Sequence, residues 1–483
     1  MSQHQQYLAK RQLKRGSAGW VLLAGLGVSY VISGDFAGWN FGLAQAGWGG
    51  FCLAAIAMAV MYLCLVLSLA EMSAALPTAG GGYSFARLAM GPTGGFLTGL
   101  SVLIEYVLAP AAIVIFIGSA VNELLGVDGP WVYALFYAAF IAIHLTGVGE
   151  ALKLMMVISG LAVVAILITA GVLITHFDWN RLFDIAPATE HASVWLPFGW
   201  HGVWAALPFA MWLFLAVEGV PLAAEEAKQP EKDVPRGIIG AMLFLLFTAT
   251  LVTVLLAGAA GSQVIAQSAV PLVDALKLTG NPTVATLVNL LGLAGLIASF
   301  FSIIYGYSRL VFALSRAGYL PKNLSLTNDK KIPARALIVP GALGFMVSLS
   351  GEGDRILAMA VVGATVSYAL MSLSHILLRL KQPQLPRPYK TPGGILTSGV
   401  SLLLALVAMT GVYAFDPMAF YMTLGLYLMG IAYYGLYSRH KLVASNAAEE
   451  LAMLSETDLG LSGNDQALSD PNKPLEPKPL NPS

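Results

Sequence analysis

The strongest constraint on this chain is a succession of long apolar segments that runs almost without a gap from about Trp20 to Tyr437. Each segment has roughly the 20 residues that an α-helix needs to cross a hydrocarbon core of about 30 Å. Charged residues make up 11% of the 483 residues, whereas soluble domains carry about 25%. The sequence therefore predicts an all-α integral membrane protein rather than a soluble domain.

The apolar segments predict about twelve transmembrane helices. Their centres fall near residues 31, 60, 108, 138, 164, 214, 248, 298, 342, 367, 404 and 428. If the N-terminus is cytoplasmic, the outer loops keep only Arg181, Lys277 and Arg355, and most other basic residues fall in inner segments. The positive-inside rule then places both termini in the cytoplasm.

Two of the predicted spans are interrupted by glycine next to an acidic residue. Span one carries Ser33-Gly34-Asp35, and span six carries Ala216-Val217-Glu218-Gly219. A carboxylate near the middle of a span costs roughly 3 kcal/mol on insertion scales, so such acids are functional by default. Unwound backbone at this depth is tolerated only where it faces protein or water, and its free amides and carbonyls then become ligand groups.

The two interruptions are five spans apart, and this spacing predicts an internal repeat. Because five is an odd number, the second copy of a five-span unit would be inserted upside down, as in secondary transporters that bind substrate at the midplane. The predicted divisions are an N-terminal cytoplasmic segment (1–16), a first repeat (17–180), an inverted second repeat (200–380), two further spans (395–438) and a tail (444–483). The polar, proline-containing composition of the tail predicts a disordered cytoplasmic segment.

Five segments in the same order resemble the amino acid-polyamine-organocation superfamily, over about residues 15 to 440. Ile32-Ser33-Gly34-Asp35-Phe36 stands in register with the Gly-Ser-Gly-Ile-Phe of span one in that superfamily. The other segments are 77–84, the aromatic-rich stretch 208–218, the loop 225–236 and the stretch 308–321. This resemblance implies a LeuT-like fold with helices one and six interrupted, and a permease rather than an enzyme.

Within the superfamily, residues 30–43 resemble the first span of bacterial ethanolamine permeases, which carry an acid at the position of Asp35. Members of the superfamily usually bind a substrate carboxylate with span-one amides. An aspartate there would repel a carboxylate and attract an ammonium group. The resemblance thus implies uptake of ethanolamine or a similar small amine across the bacterial cytoplasmic membrane by alternating access.

Several alternatives to this interpretation stay open at the level of sequence. The first is an amino acid permease or an amino acid/amine exchanger of the same superfamily. A substrate-sensing receptor or a channel on the same scaffold belongs to a different class. For Asp35 itself, the structural alternative is a buried salt bridge or a helix cap.

The expected substrate site combines residues at both interruptions with two residues of span three. Its members are Asp35, Ser33, Gly34, Trp212, Phe214, Ala216, Glu218, Glu105 and Tyr106. Glu218 is a candidate ligand, proton carrier or brace of the broken helix, and Glu105 a candidate ligand or brace. Trp39, Phe301 and Tyr305 are candidates for a gate or an aromatic cage, because an ammonium ion over aromatic faces gains about 1 to 2 kcal/mol when desolvated.

No set of residues with the spacing of a catalytic centre or a metal site is evident, so we expect no metal and no cofactor. The coupling ion is left open between a proton and sodium. Ser299 and Ser302 offer oxygen ligands that suit sodium, although serines in membrane helices more often bond to their own backbone. The expected partners are the amine substrate and the lipid bilayer, with no nucleic acid and with the oligomeric state open.

Overall fold

The computed structural model describes residues 11, 13 and 16–443. Most of the predicted N-terminal segment and the whole predicted tail, 444–483, lie outside the described residues. No β-strand occurs in the described part of the chain. Its architecture is a bundle of helices.

The helices of the predicted spans, including the short helix that follows α1, are numbered here in chain order. They are α1 (Trp20–Val31), α2 (Ser33–Phe36), α3 (Phe41–Ala75), α4 (Gly82–Leu125), α5 (Pro130–His144), α6 (Val148–Leu173), α7 (Gly199–Trp212), α8 (Pro230–Ala260), α9 (Pro282–Arg316), α10 (Ala334–Ser348), α11 (Gly353–Lys381), α12 (Ile395–Phe415) and α13 (Pro417–Leu436). Short α-helices lie at Trp179–Leu182, Ser262–Ala266 and Pro271–Leu278, and 3-10 helices at Ile174–His176, Val217–Glu226, Lys322–Ser325 and Ser438–His440.

The helices account for every predicted span. Within the described residues, 9 helical segments are long and apolar enough to cross a membrane. Three shorter apolar segments, Trp20–Phe36, Pro130–His144 and Ala334–Ser348, cover the predicted spans one, four and nine. The prediction of an all-α integral membrane protein with about twelve spans is confirmed. The inverted relation between the two predicted repeats stays a prediction.

Span one is interrupted at Ile32, between α1 and the short helix α2, and again after α2. Ala37 takes extended backbone angles and Gly38 has a φ of +98°, before α3 begins at Phe41. A Cβ atom on Gly38 would lie 2.6 Å from the indole nitrogen of Trp212. Both the positive φ and this close approach require glycine.

The opening of span one that the sequence predicted at Ser33-Gly34 is present and extends further along the chain. The backbone N–H of Ser33 donates to the hydroxyl of Ser299 and that of Asp35 to the carbonyl oxygen of Ile32, so regular α-helical bonding is lost between α1 and α2. The second interruption, at Ala37-Gly38, was not predicted, because it depends on Trp212 from another span.

Span six is broken where the sequence predicted. Helix α7 ends at Trp212, and the chain resumes as a 3-10 helix at Val217–Glu226. Between them, Ala216 has a φ of +76°. Left-handed backbone costs about 1–3 kcal/mol for a residue other than glycine, and it persists only where the surroundings impose it.

Candidate functional site

The breaks of spans one and six touch each other in the core of the bundle. The indole of Trp212 donates a hydrogen bond of 3.0 Å to the carbonyl oxygen of Ala37, which the break leaves without a helical partner. A Cβ atom on Gly34 would lie 2.7 Å from the carbonyl oxygen of Trp212, so only a glycine allows the two spans to approach this closely. Ser33, Gly34 and Trp212 thus lie at one junction.

Asp35 projects from this junction as a buried carboxylate without a partner. Its side chain is 1% exposed, and neither of its oxygens accepts a hydrogen bond from any described residue. The hydroxyl of Thr248 lies nearby but donates to the carbonyl oxygen of Leu245. Because a buried charge without compensation is costly, this carboxylate is suited to bind a cation.

The structural alternatives for Asp35 find no support among the described residues. It makes no ion pair, and its side chain caps no helix end. Arg309, a buried basic residue of α9, forms an ion pair with Glu226 at 2.8 Å.

Two glutamates share one tyrosine hydroxyl beside the break of span six. The Oη atom of Tyr368 lies 2.8 Å from Oε2 of Glu218 and 3.0 Å from Oε1 of Glu105. Tyr106 donates to the other oxygen of Glu218 at 2.9 Å. The backbone N–H of Ala216, the residue with positive φ, points to the same Tyr368 hydroxyl at 3.4 Å. The structure therefore joins Glu105, Tyr106, Ala216 and Glu218 in one cluster.

A second polar cluster lies beside the predicted site, between spans six and eight. Arg309 pairs with Glu226, and the two side chains are 2% and 0% exposed. The guanidinium lies over the ring of Tyr305 at 4.0 Å, and the Tyr305 hydroxyl donates to Glu226. The carbonyl oxygen of Glu226 also accepts hydrogen bonds from the amides of Ser17 and Ala18, at 2.9 and 3.1 Å. These contacts join the chain before α1 to spans six and eight.

The predicted aromatic residues have different surroundings. Phe214 packs on Tyr62 with ring centroids 5.6 Å apart, and Trp39 packs on Phe51 at the same distance. Phe301 stacks on His144 with centroids 4.0 Å apart. Since Tyr305 contacts Arg309 and Glu226, its position suits the predicted gate better than a cage around Asp35.

The two serines considered for sodium differ in their contacts. The hydroxyl of Ser299 accepts a hydrogen bond of 2.9 Å from the backbone N–H of Ser33, and so joins α9 to span one. Ser302 donates to the carbonyl oxygen of Ala298 at 2.7 Å, in its own helix. The contact of Ser302 is the structural role that serines usually have in membrane helices.

Sequence reasoning missed two residues that hold the site together. Tyr368 bridges the two glutamates, but a tyrosine within a span carries no signal of its own, since most belong to packing or interface belts. Asn40 donates to the carbonyl oxygens of Ile265 and Ser268 at 2.9 and 2.8 Å and accepts from the amide of Gly38. A polar amide so close to a predicted break was the signal that could have identified Asn40.

A membrane bundle with two broken helices in contact, and buried acids beside both breaks, defines a multi-pass transporter rather than an enzyme. The model of the amino acid permease family matches residues 19–429. The chain therefore belongs to this family, within the amino acid-polyamine-organocation superfamily.

Relatives of this chain are similar over most of their length. An uncharacterized transporter, R00093 of Rhizobium meliloti, is 27% identical over 400 residues, which cover 80% of this chain and 84% of the relative. The branched-chain amino acid permease BcaP of Bacillus subtilis is 26% identical over 440 residues, 86% of this chain and 91% of the relative. The aromatic amino acid transport protein AroP of Shigella flexneri is 28% identical over 392 residues, 77% and 84% of the two chains.

Proposed function

We propose that this protein is a secondary transporter that imports a small protonated amine without a carboxylate, such as ethanolamine, across the bacterial cytoplasmic membrane. The observation that carries the proposal is Asp35, a carboxylate that is 1% exposed and has no hydrogen-bond partner among the described residues. An ammonium group would neutralise this charge and donate up to three hydrogen bonds.

The same carboxylate argues against an amino acid as the substrate. Two carboxylates about 4 Å apart repel each other by about 4 kcal/mol at an effective dielectric constant of about 20. An amino acid whose carboxylate approached the opened backbone of span one near Gly34 would meet this repulsion from Asp35. Ethanolamine carries a hydroxyl in that place, and the polar backbone around the two breaks offers it partners.

Transport in this proposal requires the helices around the site to move. Asp35 is buried, and Glu226, Arg309 and Tyr305 are held together by an ion pair and a hydrogen bond. In this proposal their cluster is the gate on the cytoplasmic side. Alternating access would separate this cluster on the inner side after the substrate has bound from the outer side. A receptor or a channel would not accelerate uptake of labelled ethanolamine when unlabelled ethanolamine fills proteoliposomes, whereas a carrier with one alternating site would.

The second candidate function is an amino acid permease, and the printed names of relatives favour it. BcaP of Bacillus subtilis and AroP of Shigella flexneri are both named for amino acids. The two candidates differ in whether amino acids compete with ethanolamine for the site.

The test is equilibrium binding of labelled ethanolamine to the purified protein, with choline, leucine and phenylalanine as competitors. We expect Asp35→Asn to weaken ethanolamine binding at least about thirtyfold, because truncating one member of a buried charge pair costs about 2 kcal/mol or more. The matched control is Asp354→Asn at the exposed start of α11, which should bind normally. Unchanged binding by a folded Asp35→Asn variant, or displacement of ethanolamine by leucine in the wild type, contradicts the amine proposal.

A further inference from the structure

We infer that Glu105 and Glu218 hold one proton between them, and that this site couples transport to protons rather than to sodium. The inference begins with a count of hydrogen atoms. The hydroxyl of Tyr368 has a single hydrogen, yet its oxygen lies within hydrogen-bond distance of both Glu218, at 2.8 Å, and Glu105, at 3.0 Å. The hydroxyl can donate to only one of them. The other contact is a hydrogen bond only if that glutamate carries a proton and donates it to Tyr368.

The hydrogen bonds also indicate which glutamate carries the proton. Glu218 accepts from two tyrosines, because Tyr106 donates to one oxygen and Tyr368 to the other. Glu105 has its Oε2 atom buried without a partner, although its Oε1 atom contacts Tyr368. An unpartnered oxygen costs much less on a neutral acid than on a carboxylate. The arrangement is therefore Glu105 as a carboxylic acid and Glu218 as a carboxylate.

Among the described residues, no basic side chain neutralises Glu105 or Glu218. Neither glutamate makes an ion pair within the described part of the chain. The titratable groups that face the pair directly are tyrosines from five different helices: Tyr30 of α1, Tyr62 of α3, Tyr106 of α4, Tyr368 of α11 and Tyr427 of α13. Arg309 and Glu226, which form an ion pair with each other, lie near Tyr30. A proton is then the cation that offsets one of the two buried carboxylates.

The position of the pair connects this proton to the moving part of the fold. Glu105 lies on α4, in the stretch after the kink of this helix at Gly91, and Tyr368 lies on α11, whereas Glu218 lies on the 3-10 helix just after the break of span six. Proton transfer between the two glutamates passes through Tyr368. The tyrosine hydroxyl receives the proton of Glu105 and at the same time gives its own proton to Glu218. Glu105 then becomes the carboxylate, Glu218 becomes the acid and Tyr368 stays neutral. A movement of the break that separates Glu218 from Tyr368 would carry the proton away from Glu105.

Infrared spectroscopy of the purified, reconstituted protein tests the proton site without any substrate. A buried neutral carboxyl group gives a C=O stretching band that shifts in deuterium oxide, whereas ionised carboxylates do not absorb there. We expect one component of this band to be lost in Glu105→Gln and kept in Asp35→Asn, because Asp35 is itself a buried acid without a partner among the described residues and can contribute a component of its own. Tyr368→Phe should shift the band without removing it, because the acid loses its hydrogen-bond partner. The matched control is Glu123→Gln. Glu123 is a partly exposed glutamate near the C-terminal end of α4, and this variant should keep the band.

Coupling to amine uptake rests on the proposed function and needs a second measurement. In proteoliposomes, the accumulation of labelled ethanolamine under a pH gradient is divided by the counterflow rate of the same variant, so that impaired turnover cancels. One coupled proton allows about tenfold accumulation per pH unit. We expect this normalised accumulation to be lost in Glu105→Gln and kept in Glu123→Gln, with no response of the wild type to a sodium gradient.

The two measurements separate the possible failures. If the wild type does not transport ethanolamine, the proposed substrate is wrong, and the infrared band still decides the proton site. If the band is absent from the wild type, is unchanged in Glu105→Gln or is lost completely in Asp35→Asn, the proton site is wrong. If accumulation in Glu105→Gln still follows the pH gradient as in the wild type, Glu105 does not couple transport to protons.

Discussion

The contact between the two broken spans predicts the effect of adding a single methyl group at Gly34. A Cβ atom there would lie 2.7 Å from the carbonyl oxygen of Trp212 and 3.2 Å from the Cα atom of Leu213. Both are backbone atoms, which cannot rotate out of the way as a side chain can. In Gly34→Ala, one of the two spans must therefore move.

The size of the effect follows from two opposing contributions. Overpacking in a closely packed core costs about 1–3 kcal/mol. Gly34 lies in a helical turn, and its φ is not positive. Alanine at this position also lowers the conformational entropy of the unfolded chain, which stabilises the folded state by about 0.4–1 kcal/mol. We expect the free energy of unfolding to fall by about 1–2 kcal/mol in the balance.

The matched control is Gly25→Ala, nine residues earlier in the same span. There the added Cβ atom would meet only the Cγ atom of Met156, at an ordinary 3.7 Å. This variant should be neutral or more stable by up to about 1 kcal/mol. The assay is equilibrium unfolding in mixed micelles, followed by tryptophan fluorescence. Equal unfolding free energies for the two variants, within about 0.5 kcal/mol, would refute the close approach of spans one and six at Gly34.

Two further predictions concern charged groups away from the proposed substrate. Arg309→Gln should lower the free energy of unfolding by about 3–5 kcal/mol, because it leaves Glu226 charged and buried. Adding Glu226→Gln to this variant should restore most of the lost stability in the same unfolding assay. A double variant that is no more stable than Arg309→Gln would contradict the buried ion pair. At the start of α13, burial opposes ionisation of Asp416, but hydrogen bonds from Arg355 and two backbone amides outweigh it and lower the pKa of this carboxyl. The folded state therefore binds this proton less readily than the unfolded state, so the stabilisation is complete above the ordinary pKa of about 3.9 and is lost as the pH falls through the lowered value. The difference in stability between the wild type and Asp416→Asn should shrink over that acidic range, and a difference that does not change with pH would contradict this assignment.

The sequence by itself determined the class of fold and the location of the second break. The length and spacing of apolar segments set the number of spans, because each must satisfy its own backbone hydrogen bonds within the bilayer. Glycine beside an acid marked both interrupted spans, since these residue types act through local backbone freedom and local desolvation cost. For the same reason Asp35 could be recognised as an unusual residue from its position alone.

Only the tertiary structure decided which partner each buried acid has. Glu226 pairs with Arg309 and Glu105 contacts Tyr368, whereas Asp35 has no partner among the described residues. These contacts join residues far apart in the chain, and the spans offer several tyrosines and acids between which a linear pattern cannot choose. The opening of span one likewise extends beyond the predicted Ser33-Gly34 to Gly38, because Trp212, from another span, packs against the backbone there. The local sequence was thus enough to identify the unusual acidic residues. Only long-range packing determined which of them is left without a partner and can bind a cation.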